Sequence, residues 1–167
     1  MEFTPVYDSK KLRDLASKQQ KEGKKLFQKL RKTRPKDLDS FVSNVHEKVF
    51  QKVDCLECAN CCRGLGPRVS EMDIRRLSKF LKIKTTEFID TYLRIDEDND
   101  YVFKDMPCPF LMKNNHCFVY EYRPKACRDY PHTDRKKYFQ ILHLGLRNAE
   151  TCPAVLQINQ EIINHYK

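Results

Sequence analysis

The sequence predicts a mainly α-helical protein with a small β-hairpin, in which a compact domain forms around a cysteine cluster and a basic helix precedes it. Apolar residues recur at helical spacing before residue 55 and again after residue 70. Short apolar runs separated by turn residues follow residue 100, as in the strands of a hairpin. With 167 residues and 40% hydrophobic content, the chain is long enough for one modest core.

A long charged helix is predicted over residues 9–33. Asp8 or Ser9 can serve as its N-cap, and a broken apolar stripe runs along it. Gly23 weakens the middle of the helix, and Pro35 ends it. The apolar stripe of this helix is therefore less regular than the stripe of the helix that follows.

The positive charge of the chain is concentrated in this first segment. From Lys10 to Lys36 there are twelve Lys or Arg residues and two acidic residues, whereas the net charge of the whole chain is +9. The rest of the sequence, which includes every cysteine, is therefore close to neutral. We predict a basic helical extension at residues 1–36 and a cysteine-cluster domain at residues 37–167.

Three more helices are predicted in the first part of that domain. Apolar residues recur on one face over about residues 37–52. Ser70 can cap the next helix, with Asp73 three residues later, and Thr85 or Thr86 can cap a short one. These signals predict helices on both sides of the first group of cysteines.

The remaining segments favour loops, short strands and a final helix. Residues 55–69 contain four cysteines, two glycines and a proline, and we predict a tight loop there without regular helix or strand. The acidic residues 96–100 are predicted to form a solvated turn. A terminal helix can begin at Pro153. Short strands are predicted at 101–103, 110–112 and 117–120, with a hairpin turn at 113–116.

Eight cysteines are the strongest functional signal in the chain. No apolar run approaches the roughly 18 residues that span a bilayer, and the first ten residues lack the layout of a secretory signal, so we expect a cytoplasmic protein. Cytoplasmic reductants keep thiols reduced, and clustered thiolates there bind metal more often than they form disulfides. We therefore predict a bound metal ion.

The centre of the pattern is Cys55-x2-Cys58-x2-Cys61-Cys62. Two intervening residues let neighbouring thiolates turn back toward one ion, as in zinc knuckles and iron–sulfur loops. The side chains of adjacent residues usually diverge, so we expect Cys62 to serve a second metal or another part of a cluster. The alternative is an uncoordinated thiol packed under the loop.

Four further cysteines follow at longer intervals, and prolines stiffen the backbone around three of them. They are Cys108, Cys117, Cys127 and Cys152. Eight thiolates can divide into two sites of four ligands each, in a way that the spacing does not determine. Zinc, iron and an iron–sulfur centre all fit such ligands.

The ordered combination of these motifs resembles the YkgJ-type CxxCxxCC cysteine-cluster family over roughly residues 54–154. The motifs are Cys55-x2-Cys58-x2-Cys61-Cys62, Cys108-Pro109-Phe110-Leu111, Cys117-x2-Tyr120-x2-Arg123-Pro124-x2-Cys127-Arg128-x-Tyr130-Pro131 and Cys152-Pro153. The family is described as zinc- or iron-chelating, so the resemblance implies metal binding. Flagellin lysine N-methylases carry a similar cluster and are associated with iron–sulfur chemistry, but this chain is short for one and lacks a glycine-rich loop that would mark a methyl-donor site.

Arg123 and Arg128 are the predicted cofactor-binding side chains beside the cysteines. Each can donate hydrogen bonds to thiolate sulfur and lower the cost of bringing negative thiolates together. The alternative is that they cap a turn at the surface.

Two classes of function fit these observations. The first is a metal-binding module in which the cluster stabilises the fold, or stores, senses or delivers the ion. The second is an iron–sulfur enzyme or electron carrier related to the lysine N-methylase type. The chain contains no H-E-x-x-H, nucleophile elbow, P-loop or dinucleotide fingerprint, which favours the first class and leaves the question of catalysis open.

The basic helix has its own alternatives, a solvated face or a surface for a protein partner. Nucleic-acid binding through this helix is disfavoured, because the cysteines do not follow the C2H2 finger pattern and Phe27 is the helix's one aromatic residue. A nucleic-acid-binding module is therefore the weakest of the interpretations.

Overall fold

The computed structural model describes residues 4–167, which are mainly helical with one two-stranded antiparallel hairpin, and the predicted fold class is confirmed. In chain order the helices are Ser9–Thr33 (α1), Leu38–Phe50 (α2), Cys55–Cys58 (α3), Asn60–Gly64 (α4), Glu71–Leu81 (α5), Thr85–Tyr92 (α6), Lys125–Asp129 (α7), Leu142–Asn148 (α8) and Pro153–Tyr166 (α9). The strands are Leu93–Ile95 (β1) and Tyr101–Phe103 (β2). Short 3-10 turns lie at Tyr120–Tyr122 and Tyr138–Gln140.

The chain divides into two compact units. The first contains residues 4–57 and Pro131–Lys167, and the second contains Cys58–Tyr130. This division does not follow the predicted boundary at residue 36, and residues 1–3 of the predicted extension lie outside the described residues. Whether residues 1–36 can be separated from the rest stays a prediction.

In the first unit, α1, α2, α8 and α9 pack around one apolar core. Phe27 and Leu30 of α1 share that core with Val42 of α2 and Ile158 of α9. The core also comes close to the backbone of α1 at Gly23, where an added Cβ would lie 2.9 Å from Ile163 Cδ1. Helix α1 is thus packed along its length, and no helix within residues 4–167 is long and apolar enough to cross a membrane.

Helix ends follow the capping residues that the sequence indicates. The carboxylate of Asp8 accepts a hydrogen bond from Lys11 N at 2.7 Å and caps α1. Ser70 and Asp73 form a reciprocal capping box at the start of α5, and Pro153 occupies the first turn of α9. These three predicted helix starts are confirmed. The predicted cap of the short helix at Thr85 or Thr86 was wrong, because α6 begins at Thr85 after Lys84, which makes no side-chain capping hydrogen bond.

In the second unit, α5 and α6 pack with the hairpin around a separate core. This core contains Leu77 of α5, Phe88 of α6, and the aromatic residues Phe103 and Phe110. Its buried apolar residues are Val69, Ile74, Leu77, Phe88, Leu93, Phe103, Phe110 and Val119. The unit therefore has an apolar core of its own beside its cysteines.

The hairpin lies earlier in the chain than predicted. Residues 93–95, for which no strand was predicted and of which Leu93 was assigned to the fourth helix, pair with residues 101–103, with Leu93 opposite Phe103. The acidic turn closes this hairpin, because Asp96 Oδ1 accepts hydrogen bonds from the backbone of Asp98 and Asp100, both at 3.0 Å.

The second predicted hairpin, with strands at 110–112 and 117–120, was wrong, because only its turn and one bridge form. The turn at 113–116 does form, since Met112 N donates to His116 O at 2.8 Å. Pairing beyond it is limited to one bridge between Leu111 and Cys117, and the chain then enters a 3-10 turn.

The cysteine loop is more helical than predicted. The predicted irregular loop at 55–69 contains two short helices, α3 and α4, separated by Ala59 in the left-handed conformation with φ of 47°. Backbone bonds from Arg63 N to Ala59 O and from Leu65 N to Cys61 O complete the second turn. Short helices of this kind have too few residues to produce a periodic pattern, and α7 and α8 were missed for the same reason.

Candidate metal centre

The second unit contains six of the eight predicted metal ligands. Three lie on the turns α3 and α4, and three come from the later loops and from α7. They are Cys58, Cys61, Cys62, Cys108, Cys117 and Cys127. Residues 4–167 contain all eight cysteines, and none of them forms a disulfide bond.

Backbone hydrogen bonds join the segments that carry these thiols. Cys108 N donates to Cys62 O at 2.8 Å, so the first cluster and the Cys-Pro loop are linked at the ligands themselves. Cys117 is held to the same loop by its bridge to Leu111. Cys127 lies in the first turn of α7, where its N–H donates to Pro124 O at 2.9 Å.

Four of the thiols form a mutually interacting set, which we call the four-thiol set: Cys62, Cys108, Cys117 and Cys127. Burial raises the pKa of Cys108 to about 11, and the charges of Cys62 and Cys117 add to this shift. Burial raises the pKa of Cys127 to about 12, with contributions from all three of the other thiols. Burial and then Cys62 also raise the pKa of Cys117. Every pair in the set is therefore close enough for one thiolate to destabilise another.

Three of the thiol sulfur atoms each accept a hydrogen bond from a backbone N–H in the same relative position. The N–H of Asn60 acts on Cys58, that of Phe110 acts on Cys108, and that of Val119 acts on Cys117, in each case from two residues further along the chain. Although burial raises the pKa of all three thiols, these hydrogen bonds lower it, because they stabilise the thiolate. Hydrogen bonds to sulfur are a usual means of tuning thiolate ligands, and the sequence alone did not reveal them.

Cys62 differs from the other members of the set, since its pKa is lowered to about 7. The main cause is a hydrogen bond from Cys61, and the charges of Arg123 and Arg63 act in the same direction against burial. The Sγ atoms of Cys61 and Cys62 lie 4.0 Å apart. Two sulfurs bound tetrahedrally to one zinc at about 2.3 Å would lie about 3.8 Å apart. The expectation that these adjacent side chains diverge was wrong.

The two predicted arginines lie beside the thiols, but their hydrogen bonds go to carbonyl oxygens. Arg123 Nε donates to Tyr120 O at 2.7 Å, and its guanidinium stacks 3.5 Å from the centre of the Tyr120 ring. Arg128 Nη1 donates to Arg123 O at 2.7 Å. In addition to burial and the neighbouring thiols, the charge of Arg123 affects three pKa values and lowers each, namely those of Cys62, Cys117 and Cys127.

Arg63 is a site residue that sequence reasoning missed. Its guanidinium donates to Cys58 O at 2.8 Å and to the side chain of Asn115 in the 113–116 turn. After burial and a backbone hydrogen bond, its charge lowers the pKa of Cys58, and it also lowers that of Cys62. Its position directly after Cys62 was the available signal, because a cation next to a thiolate stabilises the negative charge.

Asp73 fixes the loop that carries Arg123. Its buried carboxylate accepts hydrogen bonds from Ser70, from Arg76 Nη2 at 2.6 Å and from Lys125 N at 3.1 Å. Arg76 in turn donates to Arg123 O at 2.8 Å. A capping residue of α5 thereby also positions the loop before α7.

The donor set has the chemistry that zinc or iron requires, since buried thiolates with nearby cations are soft ligands. Within residues 4–167, however, no group of three or more His, Cys, Asp or Glu side chains is arranged to hold a metal ion. The thiols of the second unit thus lie near one another without converging on a common coordination position.

The other two predicted ligands belong to the first unit. Cys55 is exposed and begins α3. Cys152 is half-buried immediately before α9 and packs against the core of that unit. After burial, its charge contributes to the raised pKa of Tyr138.

A helical unit with its own core, six thiols and adjoining arginine charges defines a cysteine-cluster protein. The chain belongs to the CxxCxxCC family, described as "Putative zinc- or iron-chelating domain", which matches residues 54–153. An uncharacterized protein of Methanocaldococcus jannaschii is 32% identical over 84 residues, which cover 47% of this chain and 44% of the relative. The match thus spans less than half the length of that curated relative. No solved structure matches the chain.

Proposed function

We propose that the protein binds zinc or iron in the cytoplasm through the four-thiol set. The observation that carries this proposal is that, in every pair drawn from these four thiols, the charge of one raises the pKa of the other. Side chains from three separate segments are brought together in this way, and mutually repelling thiolates are stable only with a compensating positive charge. A metal ion supplies that charge.

The roles of the surrounding residues follow from their positions. Arg123 and Arg63 offset the negative charge of the thiolates, and Arg128 positions Arg123 through its carbonyl oxygen. Cys58 and Cys61 lie next to Cys62 and can join the ligands. For Cys55 and Cys152, the support is their place in the family motif, since both fall within residues 54–153.

For the metal itself we favour iron, including an iron–sulfur centre, because cysteines at x2 spacing with remote cysteines resemble cluster loops. When bound, such an ion would supply Lewis-acid or redox chemistry, while the chain's own residues provide thiolates, N–H donors and cationic side chains. Thiolate sites also accept zinc readily, so aerobic preparations are expected to contain zinc.

The test is metal analysis of protein purified anaerobically, with acid-labile sulfide and visible spectra measured on the same sample. Cys62→Ser and Cys127→Ser should each lose most of the metal, whereas His116→Asn, an exposed side chain beside Cys117, should retain it. Circular dichroism must show that the variants are folded. Folded Cys62→Ser and Cys127→Ser proteins with full metal content would overturn the proposed ligand set, and a colourless, sulfide-free zinc protein would reject the iron–sulfur version.

A further inference from the structure

The exposed face of α1 is a continuous basic surface. The buried residues of this helix, Leu12, Ala16, Gln19, Gly23, Phe27 and Leu30, recur every three or four positions and cover an arc of about 80°. All ten Lys and Arg residues between Lys10 and Lys32 are exposed and fall within an arc of about 160° on the opposite side. The core contacts thus leave an exposed face of α1 that carries all ten positive charges together with one acidic residue, Asp14.

Within the described residues 4–167, these charges are not neutralised by acidic neighbours. Glu22 is paired at 2.6 Å with Lys167, which directly follows α9. Within that range, no salt bridge joins any of the ten Lys and Arg residues of α1 to Asp14 or to another acidic residue. Neighbours one turn apart, such as Lys21 with Lys25 and Lys25 with Lys29, repel each other. The helix has 25 residues and is therefore about 37 Å long, so the charges form a linear array.

The composition of this face distinguishes between three kinds of anionic partner. A membrane-surface helix needs an apolar face for the lipid, but the apolar residues of α1 point toward the protein core. A protein interface is usually centred on apolar or aromatic anchors, and the residues between the charges are polar, among them Ser17, Gln20 and Gln28. The exposed face of α1 therefore lacks the apolar contacts that a membrane surface or a protein partner requires.

We infer that the exposed face of α1 binds the phosphate backbone of a nucleic acid, independently of base sequence. Lys and Arg side chains along one line match the regular negative charges of a nucleic-acid strand, and the Ser and Gln side chains can donate hydrogen bonds to phosphate oxygens. Phe27 is buried and cannot stack on bases. Sequence-specific recognition therefore stays disfavoured. Phosphate contact, in contrast, does not depend on a recognition module, and in this respect the inference departs from the expectation drawn from the sequence.

The test is fluorescence anisotropy with the full-length, metal-loaded protein and 20-base-pair duplexes of two unrelated sequences at several salt concentrations. Three outward-facing lysines, Lys21, Lys25 and Lys32, are changed together to Gln. A control variant carries the same substitution at the exposed residues Lys48, Lys79 and Lys113, which changes the net charge equally. Polyglutamate and anionic phosphatidylserine vesicles are measured in parallel.

We expect both duplexes to bind with similar affinity and with a steep salt dependence. The α1 variant should lose at least about tenfold in affinity, and the slope of log K against log salt should decrease by about 3, one for each lysine removed. The control should stay within about threefold of wild type. Absence of duplex binding, equal losses in both variants, or tighter binding of polyglutamate or vesicles than of duplexes would overturn the inference. Metal content is determined on the same samples, so this result is independent of the proposed metal centre.

Discussion

Metal binding by the four-thiol set should release between three and four protons at neutral pH. In the metal-free protein at pH 7, Cys62 is about half ionised, because its pKa is about 7. Cys108, Cys117 and Cys127 are protonated, since the pKa of each is raised above its usual value of 9.0. An ion that binds all four as thiolates therefore displaces about 3.5 protons at pH 7 and about 3 at pH 8.

The sign of the pH dependence follows directly. Protons compete with the metal for sulfur, so metal affinity should rise with pH, by about three to four orders of magnitude per pH unit near neutrality. The dependence should weaken slightly above pH 7, where Cys62 is already ionised. A site built from thiols with ordinary exposure would have no such break at pH 7.

Isothermal titration calorimetry of zinc into anaerobic metal-free protein measures this release when it is repeated in two buffers of different ionisation enthalpy. Competition with a chelator between pH 6.5 and 8 gives the slope independently. At zinc concentrations high enough to saturate the weakened site, Cys127→Ser should release about one proton fewer, because a thiol that is protonated at pH 7 has been removed. Release of two protons or fewer by the wild type would refute the assignment of all four thiols to one ion.

Two further predictions concern packing. Asp73→Asn should lower the free energy of unfolding, measured by urea titration, by about 2–3 kcal/mol, because it removes the buried charge that pairs with Arg76. The control Glu71→Gln, at an exposed ion pair, should change the free energy of unfolding by under about 0.5 kcal/mol. Burial raises the pKa of Asp73, but hydrogen bonds from Ser70 and Lys125 outweigh it and lower the pKa below 3.8, so the stability difference should persist above that pH and vanish as pH falls below it. Gly23→Leu should cost about 1–3 kcal/mol by thermal unfolding, because the larger side chain would overpack a core in which even a Cβ would lie 2.9 Å from Ile163 Cδ1. The higher helix propensity of leucine acts in the opposite direction, and the same substitution at exposed Gln28 should change stability by less than about 0.5 kcal/mol.

Long elements could be predicted from the sequence because their signals are repeated. Helix α1 begins at Ser9 after Asp8, as the capping residue indicated, and its end at Thr33 agrees with Pro35. The hairpin was misplaced because three-residue strands such as β1 carry no alternation, and Leu93 also fits the face of the preceding helix.

The candidate site was predictable in its ligand types but not in its grouping. Spacing identified the cysteines as candidate ligands but did not show which loops meet. The backbone hydrogen bond between Cys108 and Cys62 shows that the first cluster meets the Cys-Pro loop. The side chain of Arg63 donates hydrogen bonds to the carbonyl oxygen of Cys58 and to the side chain of Asn115 in a remote turn. No local sequence motif specifies these contacts. Such long-range pairs arise from tertiary packing, which a single sequence does not encode as a pattern.

Because the second unit has its own apolar core, a bound metal would have to stabilise mainly the cysteine loops. Cys108 and Cys117 pack against the same apolar cluster as Phe88 and Phe110, so their loops are attached to a core built from apolar side chains. Burial of neutral thiols is compatible with that core, whereas burial of several thiolates is not, because each raises the pKa of the next. On the proposed ligand assignment, the fold supplies proximity and low dielectric, and a bound ion would supply the charge that lets the thiolates coexist. Loss of the metal should then affect mainly the ionisation and order of the cysteine loops, while α5, α6 and the hairpin retain their own packing.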